Sequence, residues 1–470
     1  MKKNNYYFLF GFFLFFLSLR GQTVSIRAIG LNDFHAGLLS SHPLAQRAGN
    51  EKLRGEYQYQ MARGAYDPSI DAQLQEKTFN GKNYYNRFNA QIKQPIFTNQ
   101  YLKAGYEFGE GLYLDPELST PSAGLPFAGI EVGLMQGLVI DKRRAEVLKA
   151  RSYLSYYSAE QQVQVNDLLW QSSQTYLSWL FNSRSANLYG YFSAIAKQRL
   201  NAFGEMVKIG EYAPIDSIEA AIIYQSRLLD YESAQNDLQK SGTDLLFYMT
   251  NGQSNSANLR PDQIAPDDSL ENYFKRSQTK LSALLGSETS QHPSLAKYRA
   301  LTSVQETEIR LKREMRKPQI NIQYNLLALP ANNEFIISSN NYKWGLQVNV
   351  PLFRVTKNDF RLSELNQLNT KLELQNKTAE LSMKMNATKT TISIISDQVT
   401  IADRNARYSR QLLEAEQQKF GSGESSLFLL ATRENKWLES ELKLCEYKYK
   451  FVLTVMQMVY LSGLLNYEIQ

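Results

Sequence analysis

The chain is built twice over, and that duplication limits its fold more than any other feature. "SSHPLAQRA" at Ser40–Ala48 returns as "SQHPSLAKYRA" at Ser290–Ala300. From each His-Pro pair the chain runs 25 residues to another proline, Pro68 or Pro318, at an offset of 250 between the halves. "IEVGLMQGLVID" at Ile130–Asp141 then answers "KWGLQVNVPLFR" at Lys343–Arg354, with Gly133 and Gly345 offset by 212. "VKIGEYAPIDSIEA" answers "FGSGESSLFLLATR", pairing Gly210 with Gly423. Finally "LLFYMTNG" ends at Gly252 and "MQMVYLSG" at Gly463. A fixed order of landmarks implies two copies of one structural unit.

The fall in offset from 250 to 212 gives the first half about 38 additional residues, within residues 79–126. The chain divides into a leader at 1–21, a first repeat at 22–252, a polar connector at 253–291 and a second repeat at 292–470. Each repeat is expected to hold a helix, a strand hairpin (318–351 in the second) and a long helical hairpin with its tip near 210 or 423. Ser41 and Gln291 stand where the first helix of each repeat begins, with Pro43 and Pro293 in its first turn. His42 and His292 are only two distant imidazoles, too few for a metal site.

The hairpins alternate with period two. Ile320, Ile322, Tyr324 and Leu326 oppose Gln319, Asn321, Gln323 and Asn325; Trp344, Leu346, Val348 and Val350 oppose Lys343, Gly345, Gln347 and Asn349. The first half repeats this with Ile70, Ala72 and Leu74, and with Ile130, Val132 and Leu134. One apolar and one mostly uncharged polar face describe a half-buried sheet, or a barrel with lipid outside and water inside. Within the insertion, "FNAQIK" and "YLKAGYEF" also alternate. They extend the first hairpin or form an extracellular flap; the sequence leaves both open.

Proline is missing from about Asp141 to Lys208 and from about Thr356 to Phe420. In the second run Ile392, Ile395, Val399, Ala402, Ala406, Ser409 and Leu413 step by three and four, which is a coiled-coil seam. About 65 residues at 1.5 Å each make a rod of roughly 100 Å. Gly210 and Gly423 fit C-terminal caps. Pro214 fits the first turn of the helix that follows, and Ser425 or Ser426 its N-cap.

Lys2 and Lys3 precede a 14-residue apolar run, Tyr6–Leu19, which suits a secretory signal cleaved near Gly21–Gln22. No later run is long enough for a transmembrane helix, so a membrane-spanning part would be β. Two hairpins supply about four strands. The smallest spanning barrels need about eight, because lipid tolerates no open sheet edge. Other copies of the chain must complete the wall.

The duplicated order, "WGLQVNVPLFR" leading from strand into helix, the turns "VKIGEYAPID" and "FGSGESSLFLLA" and the terminal "YLSGLL" together resemble the TolC-like outer-membrane efflux proteins. The resemblance covers nearly all of the mature chain. Two departures blur the strand-to-helix boundary: Arg354-Val355-Thr356 follows "PLF" where the family often has glycines, and the first half lacks the proline. The resemblance implies an α+β membrane protein: a homotrimer with a shared β-barrel in the outer membrane of a Gram-negative bacterium, continued by an α-helical tunnel across the periplasm. It further implies a periplasmic adaptor and an inner-membrane pump of the RND or ABC type. The function implied is a passive exit duct for efflux or type I secretion. The rival class is a structural coiled-coil or adhesin-like envelope protein without a pore.

By resemblance the adaptor would meet the tips, at Gly210, Glu211, Asp216, Gly423, Glu424, Ser425 and Leu427. Glu414 and Glu416 would narrow the aperture, although an exposed helix face accounts for them more simply. The charge of +6 is modest and mixed, which disfavours nucleic acid. No zinc-protease motif, phosphate-binding loop or nucleophile elbow occurs. The lone Cys445 cannot build a disulfide or a metal cluster. The chain reads as a protein without catalytic residues or cofactors.

Overall fold

A computed structural model describes residues 27–96, 99–249, 260–286, 288–331, 334–350, 354–463 and 465. The leader and Gly252 lie outside the described residues. The chain begins with a short strand β1 (Arg27–Ile29), then α1 (Leu31–Ser41) and α2 (Pro43–Arg63). Four strands follow: β2 (Ser69–Phe79), β3 (Lys82–Pro95), β4 (Gln100–Glu110) and β5 (Leu125–Gly133). A helical hairpin closes this half, α3 (Lys142–Lys208) and α4 (Pro214–Met249). The second half runs β6 (Ile264–Pro266), α5 (Leu270–Leu284), α6 (Pro293–Glu314), β7 (Gln319–Ala331), β8 (Glu334–Asn349), α7 (Arg354–Gly421) and α8 (Leu427–Ser462).

The duplication extends to element lengths. Helices α3 and α7 have 67 and 68 residues, α4 and α8 have 36 each, and α2 and α6 have 21 and 22. The stretch read as a connector holds β6 and α5. Strand β6 pairs in parallel with β1, so the two halves meet through equivalent elements.

His42 and His292 cap α2 and α6 themselves. Each imidazole Nδ1 accepts the N–H two residues on, from Leu44 at 3.2 Å and Ser294 at 3.1 Å. This corrects the expectation that Ser41 and Gln291 open these helices. An imidazole two atoms beyond Cβ reaches the same orphan donor that a serine hydroxyl would.

The six long strands form one antiparallel sheet in the order β2-β3-β4-β5-β7-β8. The insertion therefore adds β3 and β4 to the four strands read from the repeats. Register fixes two unlike faces. One rung reads Ile70, Ile92, Ala104, Ala128, Leu326 and Tyr342 across all six strands; the next reads Ser69, Lys93, Lys103, Gly129, Asn325 and Lys343.

The helices form a layer below the sheet. Near the sheet its order is α2-α3-α6-α7, and farther away α4-α3-α8-α7. All seven residues of the predicted α7 seam are buried, with Ser409 and Ser440 hydroxyls 3.0 Å apart where α7 meets α8. The main core lies midway along the rods, where α1 and α5 pack on α3 and α8 around Leu38, Tyr176, Trp179, Phe451 and Met458. The Tyr176 hydroxyl donates to the Ile29 carbonyl at 2.9 Å, which fixes β1 to α3.

Candidate functional site

Two regions follow from this frame: the helical tips and the polar face of the sheet. At the first tip Gly210 has φ 79°, and its N–H donates to the Val207 carbonyl at 3.1 Å while Glu211 donates to Met206 at 3.0 Å. At the second, Gly423 also has φ 79°; it donates to Phe420 at 3.1 Å, and Glu424 to Lys419 at 2.9 Å. Both are the same left-handed cap. A Cβ at either glycine would meet nothing within 4 Å, so the backbone angle alone demands glycine. The returning helices start with caps of their own. Asp216 accepts the Ala213 N–H at 3.2 Å, and Ser426 accepts the Leu429 N–H at 3.2 Å.

The named tip residues fall into two groups. Gly210, Glu211, Gly423 and Glu424 are exposed, and Asp216 is partly so. Leu427 is buried against Phe203 and Ala220, so it holds the tip together from inside. Glu416 is also buried; it accepts from the Ser425 hydroxyl and lies 3.5 Å from Arg433. Glu416 and Ser425 thus brace the turn. Glu414 is exposed and bound to Arg410 at 3.0 Å, as an ordinary helix-face pair.

Sequence reasoning passed over two features of the tips. Ile209, Ile215, Ile218 and Phe428 are exposed there, a large apolar cap on a water-facing end. Above it, Arg199 of α3 clamps Glu434 of α8 with two hydrogen bonds, of 2.9 and 2.5 Å, and both side chains are largely buried. Beside them Arg227 of α4 donates to Asn435. These contacts tie one hairpin to the other.

The polar face of the sheet is its inner face. Lys343 of β8 lies 3.6 Å from Glu107 of β4, three strands away. Lys343 shares a rung with Lys103, so on a flat sheet Glu107 would lie three strands across and four residues along, about 20 Å away and beyond the combined reach of a lysine and a glutamate. The sheet must curl around its polar side. Nearer the helices Glu131 binds Lys93 at 3.2 Å and also Lys103. Tyr101 there carries Lys93 and Arg143 at 4.0 and 4.3 Å from its ring centre. The apolar face, with Ile70, Leu74, Ile92, Leu102, Trp344 and Leu346, is exposed. Such a sheet suits water on its concave side and an apolar medium on its convex side.

Residues 284–463 match the outer membrane efflux protein family. The fold is that of the outer membrane efflux channels. The chain is similar to the VceC outer-membrane protein of Vibrio cholerae over 92% of its own length and 96% of that chain, with a TM-score of 0.65 and 11% identity. It is similar to the CmeC outer-membrane channel of Campylobacter jejuni over 92% and 85%, with 0.63 and 13%. For the open-state MtrE outer-membrane channel of Neisseria gonorrhoeae the shares are 92% and 88%, with 0.62 and 12%. No curated protein matches in sequence. The sheet is not closed within one chain, and β2 and β8 are its two open edges. Among the described residues no helix is long and apolar enough to cross a membrane, so the sheet is the only described element suited to lipid.

Proposed function

We propose that this protein is the outer-membrane exit duct of a tripartite efflux or type I secretion system. Copies of the chain, three by resemblance, would close the curled sheet into a barrel. The helical layers would close into a tunnel across the periplasm. The observation that carries this reading is the pairing of an inward polar and outward apolar sheet with helices of roughly 100 Å. A globular core needs neither the exposed apolar face nor the length.

The duct is passive in this reading. Energy comes from an inner-membrane pump, and a periplasmic adaptor joins the two. The tips support that role: Gly210, Glu211, Gly423 and Glu424 present backbone and acid to solvent, beside the exposed Ile209, Ile215 and Phe428. Apolar groups with a charged rim suit a protein partner.

Purified protein in a planar bilayer is expected to give discrete conductance steps, and its mass in detergent to be that of a trimer. A monomer without conductance would remove the duct reading and favour a structural envelope protein.

A further inference from the structure

The positive charge of the chain is concentrated in one place. Residues 309–318, "IRLKREMRKP", hold five bases and one acid, and residues 350–362, "VPLFRVTKNDFRL", hold three and one. These two stretches alone carry a net charge equal to the +6 of the whole chain. They are the end of α6 and the start of α7, where the helices meet β7 and β8. Helix α3 adds the exposed Arg144 where it leaves β5.

The acids nearby are already engaged. Lys312 bridges Glu308 and Asp359 at 3.4 and 2.8 Å, and Lys317 holds the buried Glu314 at 2.8 Å. Arg310, Arg313, Arg316, Lys357 and Arg361 are exposed, and among the described residues none of them forms an ion pair. Arg313 and Arg316 lie 6.0 and 5.3 Å from the ring centre of Phe360. An aromatic face holds a guanidinium in place without neutralising it. Five like charges gathered at one level repel one another and favour an anion from outside the chain.

Helix periodicity shows which side of the layer they serve. Glu146, Lys149 and Glu308 line a groove of about 580 Å³ on one side. Arg144 stands about 200° around α3 from Glu146, and Arg310 and Arg313 stand about 200° and 140° around α6 from Glu308. These arginines are therefore on the opposite side. In steps of seven, Arg144 is followed along α3 by Arg151, Ser158, Val165 and Ser172. Beside Ser172 the helices α1 and α5 cover that same side: His35 meets Ser173 at 3.0 Å, and Phe34 and Tyr273 pack on Tyr176. In the duct reading, on which this inference rests, the passage stays clear, so the side that carries α1 and α5 is the outside.

An apolar rim sits between these bases and the sheet. Leu138, Val139, Met315 and Val355 are exposed at the same junctions, next to the apolar convex face. Apolar surface followed at once by bases is the order of a bilayer boundary. Arg310 to Arg316 spans roughly 9 Å along the chain axis, close to a headgroup layer of about 5–8 Å. We propose that this basic collar binds the phosphate groups of anionic lipids in the leaflet nearer the helices, and so fixes how deep the sheet sits.

Spin-labelled lipids test this with the full-length protein in phosphatidylcholine vesicles. At low salt the protein is expected to prefer labelled phosphatidylglycerol over labelled phosphatidylcholine roughly fivefold. The preference should vanish in about 1 M salt, where charges are screened within about 3 Å. Arg310→Gln, Arg313→Gln, Arg316→Gln, Lys357→Gln and Arg361→Gln together should remove it, whereas Lys at the three arginine positions should keep it. The milder pair Arg313→Gln and Arg316→Gln guards against misfolding and should lower it about twofold. Conductance is recorded on the same preparations. Wild-type conductance without lipid preference would overturn the collar and leave the duct standing; absence of both would remove both. A preference unchanged in the glutamine variants would overturn the assignment to these residues. Altered ion selectivity with unaltered lipid preference would place the charges in the passage and overturn it equally.

Discussion

Mild acid should loosen the region where the two halves meet, and the structure fixes the sign and size of the effect. His292 caps α6 through Nδ1, which must be unprotonated to accept from Ser294. Burial holds the ring neutral and the Lys377 charge adds to this, bringing its pKa to about 4; the Tyr460 backbone opposes the shift. His35, buried beside the Ser173 hydroxyl at 3.0 Å, is also lowered to about 4 by burial. The unfolded value is 6.5 for both. A base depressed on folding binds fewer protons folded than unfolded. Stability is therefore complete above about pH 6.5 and is lost as pH falls from there toward 4. At about pH 5 each histidine costs about 2 kcal/mol, or roughly 30-fold in a local opening equilibrium.

Hydrogen exchange read by mass spectrometry over residues 292–300 measures that opening directly. After correction for intrinsic exchange, protection is expected to fall roughly 30-fold between about pH 7.5 and 5 from His292 alone. His292→Asn keeps an acceptor at the cap but does not titrate. It should leave protection near the wild-type level at neutral pH and remove that fall. An equal fall in the variant would refute the assignment, because the titrating group would then lie elsewhere.

Three further outcomes follow from the tips. Gly210→Ala or Gly423→Ala should cost about 1 kcal/mol locally through the left-handed angle, visible as faster exchange at residues 209–213 or 422–426. Arg199→Met should cost about 3 kcal/mol by stranding the buried Glu434, whereas Arg199→Met with Glu434→Leu should recover most of it, and a double-mutant cycle on urea unfolding of detergent-held protein reads the difference. Glu424→Lys should abolish adaptor cross-linking and export while the proposed oligomer still assembles; intact cross-linking would remove the tip from the docking surface.

Local patterns in the sequence were legible because their partners are near in the chain. The α7 seam repeats every three and four residues, so its buried face could be counted off before any partner was known. Gly210 and Gly423 stood out because a helix end needs a left-handed residue. The Arg199–Glu434 clamp joins positions 235 apart, and nothing in either neighbourhood marks it. Leu427 and Ser425 lie beside the exposed tip residues in the sequence, but proximity says nothing of direction; one points inward and the other bonds Glu416. The insertion showed its alternation, which identifies strands, but not its neighbours. Only the pairing of β3 with β2 and β4 with β5 places it in the wall.

The exposed apolar residues support the proposed assembly of several chains. Scattered single leucines need no account on a protein surface, but contiguous stripes do. Here the exposure is sorted. One set covers the convex side of the sheet from Ile70 to Trp344, where lipid would lie. A second lines the outer helices α2, α4 and α7, whose inner faces are already packed. The two open strands, β2 and β8, sit at the same two edges as those helices. An isolated copy would leave ladder groups and apolar stripes unpaired along its whole length. A ring satisfies both at once, because the edge that lacks a neighbour on one side of a copy is complementary to the edge on the other. In the proposed duct the long helices would be staves held by their neighbours, and the contact between Arg199 and Glu434 would limit how far the two hairpins of one chain part near the tips.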